Sequence, residues 1–188
     1  MPAAESRSPF PVFKAALVVL VVAAGAAWTV RRHLGQTAYL GRDGVVMQRA
    51  ANECGAAALK MIFDSFGVAA DYELVRARLR MESRGTTMLC LKEAAETFGL
   101  LCEGWRLAPQ DLPALPVPAI LRVRGGHFVV LAAMDAAQGT VILDPARGRL
   151  RVSRRRLLSI WAGETLLFAK PGDLLNRRGR WFRSSLHQ

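Results

Sequence analysis

The chain has 188 residues, 52% of them hydrophobic, and a formal net charge of +11 from 26 Lys+Arg against 15 Asp+Glu. That length gives one domain with something to spare, and the apolar content is ample for its core. The 3 cysteines include no C-x-x-C pair, which argues against a disulfide framework, leaves at least one thiol free and mildly favours a reducing compartment. The basic balance suits anionic lipid or an acidic partner; without zinc-finger spacing or a single-strand-binding aromatic motif, nucleic acid is the weaker reading.

Residues 1–9 are polar and proline-containing, and nothing in them favours order. Residues 10–33 form the most apolar part of the chain. The run from Phe10 to Val30 is broken only by Pro11, Lys14 and Thr29, and Arg31-Arg32-His33 closes it. It is just long enough to cross ~30 Å of hydrocarbon if Lys14 snorkels. We read it as a single transmembrane anchor, with Trp28 at the interface. A cleaved signal peptide is the alternative, with Ala24-Gly25-Ala26 as the cleavage site. Arg31, Arg32 and Arg42 outnumber Arg7 and Lys14, which leans the following domain toward the cytoplasm and leaves the periplasmic side open.

Residues 34–44 read as a linker, and Val45-Val46-Met47 as a short strand. A helix is predicted from Cys54 to a C-terminal stop at Gly67, with Leu59, Ile62, Phe63 and Phe66 at helical spacing. Tyr72 to Leu79 is a second helix. A third is capped by Thr86 or Thr87 and ends at Gly99, with Leu89, Leu91, Ala94, Ala95 and Phe98 inward and Cys90 packed beside them. Cys102 to Leu107 is extended.

Then the period changes. Leu115 to Val123 is a strand started by prolines, His127 to Met134 a central strand, and Thr140 to Asp144 its hairpin partner across a turn at 135–139. Arg151-Val152 reads as an edge strand, Ser153 as the cap of a helix through Trp161 ending at Gly163, and Glu164 to Lys170 as the last strand. Helices followed by an antiparallel sheet make the fold class α+β. Residues 171–188 form a basic tail mixing arginines with Trp181 and Phe182.

The chemistry converges on Cys54. A thiol at a helix N-terminus lies against unpaired N–H groups and the positive end of the helix dipole, which favour thiolate. A lone cysteine usually only packs, so the partners decide. His127 opens one strand of the hairpin and Asp144 closes the other, so both lie at the same end. Taken singly, each is an ordinary strand-end or turn residue. Together, a His–Asp contact would orient an imidazole, and Cys54 would complete a nucleophile–base–orienter set. Gln48, six residues ahead of Cys54, is a neutral donor able to reach the same spot.

Gln48, then Glu53-Cys54-Gly55-Ala56-Ala57, then His127-Phe128-Val129-Val130-Leu131, then Asp144-Pro145 with Gly148, resemble the peptidase C39 family. These are papain-like cysteine peptidase domains of bacteriocin-exporting ABC transporters. Trp161, Gly163 and Leu166 look like the family's closing segment. The resemblance covers residues 45–170.

It implies Cys54 as nucleophile, His127 as base and then acid, Asp144 as its orienter and Gln48 as oxyanion donor. It implies cleavage of leader peptides after Gly-Gly or a similar small pair, with no metal and no cofactor. It also implies an inner-membrane setting in a bacterium and a separate ABC transporter as partner. No G-x-x-x-x-G-K-[ST] phosphate loop occurs in the chain. Two other readings stand beside the enzyme: a catalytically idle C39-like domain that binds leader peptides or secretion substrates, and a structural membrane protein.

Overall fold

The first predicted helix forms as its apolar spacing requires. In the computed structural model, which describes residues 37–83, 85–135 and 139–172, α1 (Cys54–Phe66) is buried on almost every side, and Gly67 closes it in the left-handed conformation. Leu59, Ile62 and Phe63 are wholly excluded from solvent, each such side chain stabilising the fold by about 1.5–3 kcal/mol. Helix α2 (Tyr72–Arg78) is capped by Asp71, which accepts from the Leu74 N–H at 2.7 Å. Helix α3 (Met88–Thr97) is capped by Thr87, which accepts from the Cys90 N–H at 3.1 Å.

The strands are β1 (Thr37–Tyr39), β2 (Leu101–Arg106), β3 (Ala119–Val123), β4 (His127–Asp135), β5 (Gly139–Asp144), β6 (Gly148–Val152) and β7 (Trp161–Ala169). They form one seven-stranded sheet in the order β1-β6-β5-β4-β3-β7-β2, with every pairing antiparallel. Helix α4 (Arg154–Ile160) lies between β6 and β7 in the chain. The architecture is therefore α+β.

Strand alternation builds two cores. Ile120, Phe128, Val130, Leu143, Leu166 and Phe168 join α1, α2 and α3 in one cluster. Leu121, Val129, Leu131, Ile142, Leu150 and Leu167 join Leu157 of α4 in the other. The unbroken apolar run of β4 follows from this, because side chains of both parities are buried.

The structure departs from the sequence reading at several places. Val45-Val46-Met47 is not a strand. Val45 and Val46 pack half-buried against the helical core, while β1 forms inside the stretch read as linker and pairs with β6. Arg151-Val152 is consequently not an edge; β6 is covered by β1. Leu115 to Pro118 precede β3 rather than belonging to it.

Trp161 begins β7 instead of ending the helix. Gly163 sits inside that strand at φ 88, where a Cβ would come within 2.6 Å of the Leu107 carbonyl oxygen. Only glycine fits there, so the glycine read as a helix stop is a strand irregularity. Leu89, expected inside, is 61% exposed on the first turn of α3.

The N-terminal 1–9, the proposed anchor 10–33 and the tail from 173 lie outside the described residues. Among the described residues no helix is long and apolar enough to cross a membrane.

Candidate active site

Three of the four residues singled out in the sequence meet. His127 Nε2 lies 2.8 Å from Asp144 Oδ1. Since Nε2 is taken, Nδ1 is the ring nitrogen left for the Cys54 thiol, which hydrogen-bonds to the imidazole. Cys54 and Asp144 are buried, at 8% and 6% exposure, and the His127 side chain is 26% exposed.

The hairpin makes this meeting possible through an irregularity. Near the turn Asp135 faces Gly139 and Met134 faces Thr140; past a register shift, Leu131 faces Ile142 and Val130 faces Leu143. Continued one residue, that register sets Asp144 opposite Val129, which has the same parity as His127. Without the shift Asp144 would face Val130, and the two side chains would leave the hairpin on opposite sides. Asp144 also starts the following turn, its Oδ1 accepting from the Ala146 N–H at 2.9 Å. The turn role and the His contact coexist on one oxygen.

The electrostatics favour an ion pair. Burial works against charge on His127, but the Asp144 carboxylate and the Cys54 sulfur outweigh it and push the imidazole up to about 9. Burial likewise disfavours the Cys54 thiolate. It is outweighed by the imidazole and by the N–H groups of Phe128 and Gly55, so the thiol is held below its ordinary value. Asp144 follows the same pattern: burial raises it, and His127 and the Ala146 N–H bring it below the usual carboxylate value. Thiolate, imidazolium and carboxylate are thus mutually stabilising.

Gln48 sits differently. Its backbone N–H donates to the Pro145 carbonyl at 2.9 Å, tying it to the turn after Asp144. Its side-chain amide donates to the carbonyls of Ala50 at 3.0 Å and Ala51 at 3.3 Å, and its Oε1 is buried without a partner. The donor faces its own loop, so serving an oxyanion requires it to turn.

The sequence reading missed the wall beside Cys54. A Cβ on Gly55 would lie 2.5 Å from Thr86 Cγ2 and 3.4 Å from Phe128 Cδ2. Thr86 and Phe128 also line a cleft of about 640 Å³, together with Leu89, Arg122 and Glu164. Leu89 is therefore part of a cleft wall rather than of the core. Cys90, on the same helix, is half-buried and held below its ordinary value, first by the Thr87 hydroxyl. Burial pushes Cys102 up to about 12.

The geometry agrees with what comparison with known proteins finds. The peptidase C39 family profile matches residues 42–173. A probable microcin-H47 secretion/processing ATP-binding protein, MchF of Escherichia coli, is 32% identical over 134 residues, 67% of this chain and 19% of MchF. The chain thus spans about a fifth of that relative's length. The probable functional amyloid protease FapD of Pseudomonas fluorescens is 27% identical over 190 residues, covering 85% of this chain and 80% of FapD.

Among solved structures, a double glycine motif protease from an AMS/PCAT transporter, in complex with the leader peptide, aligns with TM-score 0.63 and 31% identity. It covers 71% of this chain and 96% of that one. With seven antiparallel strands, a helical layer and a family match over most of its length, the chain belongs to the peptidase C39 family.

Proposed function

We propose that this chain is a cysteine endopeptidase that cleaves leader peptides after Gly-Gly or a similar small-residue pair. The observation that carries the reading is the contact chain from Cys54 through His127 to Asp144. The solved relative bound to a leader peptide supports the substrate class.

The Cys54 thiolate attacks the scissile carbonyl carbon. A C–S bond forms and the carbonyl π pair moves to oxygen, where the N–H groups at the start of α1 and a turned Gln48 amide stabilise it. As the oxyanion collapses the C–N bond breaks, and His127 gives its proton to the leaving amine. His127 then takes a proton from water, which attacks the thioester. The acid leaves and the thiolate–imidazolium pair is restored. Asp144 holds the ring in place throughout and is not protonated.

On this reading the peptidase unit runs from β1 at Thr37, a strand of its sheet, to residue 170, and 10–33 is a single-pass anchor in a bacterial inner membrane. The joining stretch is thereby shortened to residues 34–36, and 171–188 are a basic tail. A separate ABC transporter is the natural partner for a processed export substrate, since MchF joins secretion and processing in one protein.

The test is a cleavage assay on a synthetic leader peptide carrying Gly-Gly, with circular dichroism to confirm folding. Cys54→Ala and His127→Ala should abolish cleavage, and their double variant should be hardly worse than either alone. Asp144→Asn should lose less, because no reacting group is removed. Full cleavage by folded Cys54→Ala would place the nucleophile elsewhere. Leader binding without cleavage by the wild-type chain would leave the idle-domain reading in its place.

A further inference from the structure

Glu53, the residue before the nucleophile, is 5% exposed, which is unusual for a carboxylate. It occupies the position that caps α1, yet its side chain makes no cap hydrogen bond. It points instead to α2. Its Oε1 accepts from Arg76 Nε at 2.6 Å and its Oε2 from the Tyr72 hydroxyl at 3.0 Å. The Arg49 guanidinium lies 4.4 Å over the Tyr72 ring and pairs with Glu73. Arg49 follows Gln48 and Glu53 precedes Cys54, so the loop between oxyanion donor and nucleophile is held to one helix at both ends.

We propose that Glu53 and Arg76 are a positioning pair, which with the Arg49–Tyr72 contact fixes the separation of Gln48 and Cys54 for the reaction. A bare carboxylate beside a thiolate would oppose its formation. Paired with Arg76 it is neutralised, and it supplies two directional bonds where a neutral cap would supply only a local one. Tyr72 and Arg76 are both on α2, so the loop's placement is set by tertiary packing. The groups facing Glu53 are Arg76 and Tyr72 from α2, with Arg49 stacked behind Tyr72; the group facing Cys54 is His127.

The inference rests on the cysteine-peptidase reading, and two readouts on the full-length chain keep them apart. In the leader-peptide assay Glu53→Ala should lower kcat about 100-fold with KM little changed, since a small misplacement of reacting groups costs that much. Glu53→Gln, whose amide oxygen can still accept from Arg76 while its NH2 donates to a turned Tyr72 hydroxyl, should recover most of the loss. In the second readout Cys54 is alkylated with iodoacetamide across pH and followed by peptide mapping, which needs no turnover.

Arg76→Met should raise the midpoint of Cys54 alkylation by leaving the carboxylate unpaired, and Glu53→Gln/Arg76→Met should bring it back. A purely structural role would lower the melting temperature and leave both readouts unmoved in folded protein. Wild-type kcat in folded Glu53→Ala, or an unmoved midpoint in Arg76→Met, overturns the proposal. If Glu53→Ala does not fold, Glu53→Gln and Arg76→Met decide it. If the wild-type chain cleaves nothing, the peptidase reading falls and the alkylation series alone decides the role of Glu53.

Discussion

Two side chains decide how the candidate nucleophile behaves with pH. The Cys54 thiol is held below its ordinary value of 9.0 by the charged imidazole, and His127 keeps that charge until about 9. Alkylation of Cys54 should therefore proceed with a midpoint below that of a free thiol, and His127→Ala should move the midpoint up. A midpoint unchanged in folded His127→Ala would sink the ion-pair account. Cys90 is also half-buried with its thiol held low, so labelling must be read peptide by peptide rather than as a total.

Asp144 gives a stability counterpart. Its folded value lies below the ordinary 3.8, so the unfolded chain binds its proton first as pH falls. Its contribution is present above pH 3.8 and lost on further acidification. The melting-temperature gap between wild type and Asp144→Asn should be full between that pH and the ordinary imidazole value of 6.5, closing below it as Asp144 is protonated and above it as His127 loses its charge toward about 9. Gln48→Ala should keep the fold and the thiol profile while lowering turnover about 10²–10³-fold, the usual loss of one oxyanion donor. Unchanged turnover at saturating substrate would leave the amide where it now sits, on the Ala50 and Ala51 carbonyls.

The elements explain why these residues could be named before they could be placed. Helix α1 was legible because its apolar spacing and its stop at Gly67 are local signals. The β4–β5 hairpin was legible for the same reason, including which end holds His127 and Asp144. The register shift that puts both on one side of the hairpin leaves no residue signature, since Ala132 and Ala133 are ordinary strand residues. Glu53 was visible only as part of a motif, because its burial and its bonds to Tyr72 and Arg76 span 19 and 23 residues. Strand β1 was hidden because its pairing partner lies more than a hundred residues away.

The wall over Gly55 is likewise tertiary, and it makes a sharp test. A methyl group at Gly55 would lie 2.5 Å from Thr86 Cγ2, closer than packed atoms allow, and such overpacking costs about 1–3 kcal/mol. Gly55→Ala should lower the melting temperature accordingly. Thr86→Ser removes Cγ2, so Gly55→Ala/Thr86→Ser should regain most of the loss. A double variant no better than Gly55→Ala would mean that another contact, such as Leu91 or Phe128 at 3.4 Å, sets the limit.

For the whole molecule the sequence ahead of β1 frames where the proposed peptidase unit works. The apolar run from Phe10 to Val30 ends in Arg31-Arg32, and the chain carries a net charge of +11. A segment of that length closed by arginines should hold the protein in membranes through a carbonate or high-salt wash. A mature N-terminus near Ala27 would instead establish a cleaved signal peptide. The side of the membrane can be read from a thiol the structure describes. Cys90 is half-buried near the start of α3, whereas Cys102 is buried. The excess of arginines after the apolar run over the charges before it leans the unit toward the cytoplasm. A membrane-impermeant maleimide should then leave Cys90 unlabelled in intact spheroplasts and label it after lysis. Labelling of Cys90 in intact spheroplasts would put the unit on the outer side, and with it the meeting of the proposed peptidase and its leader.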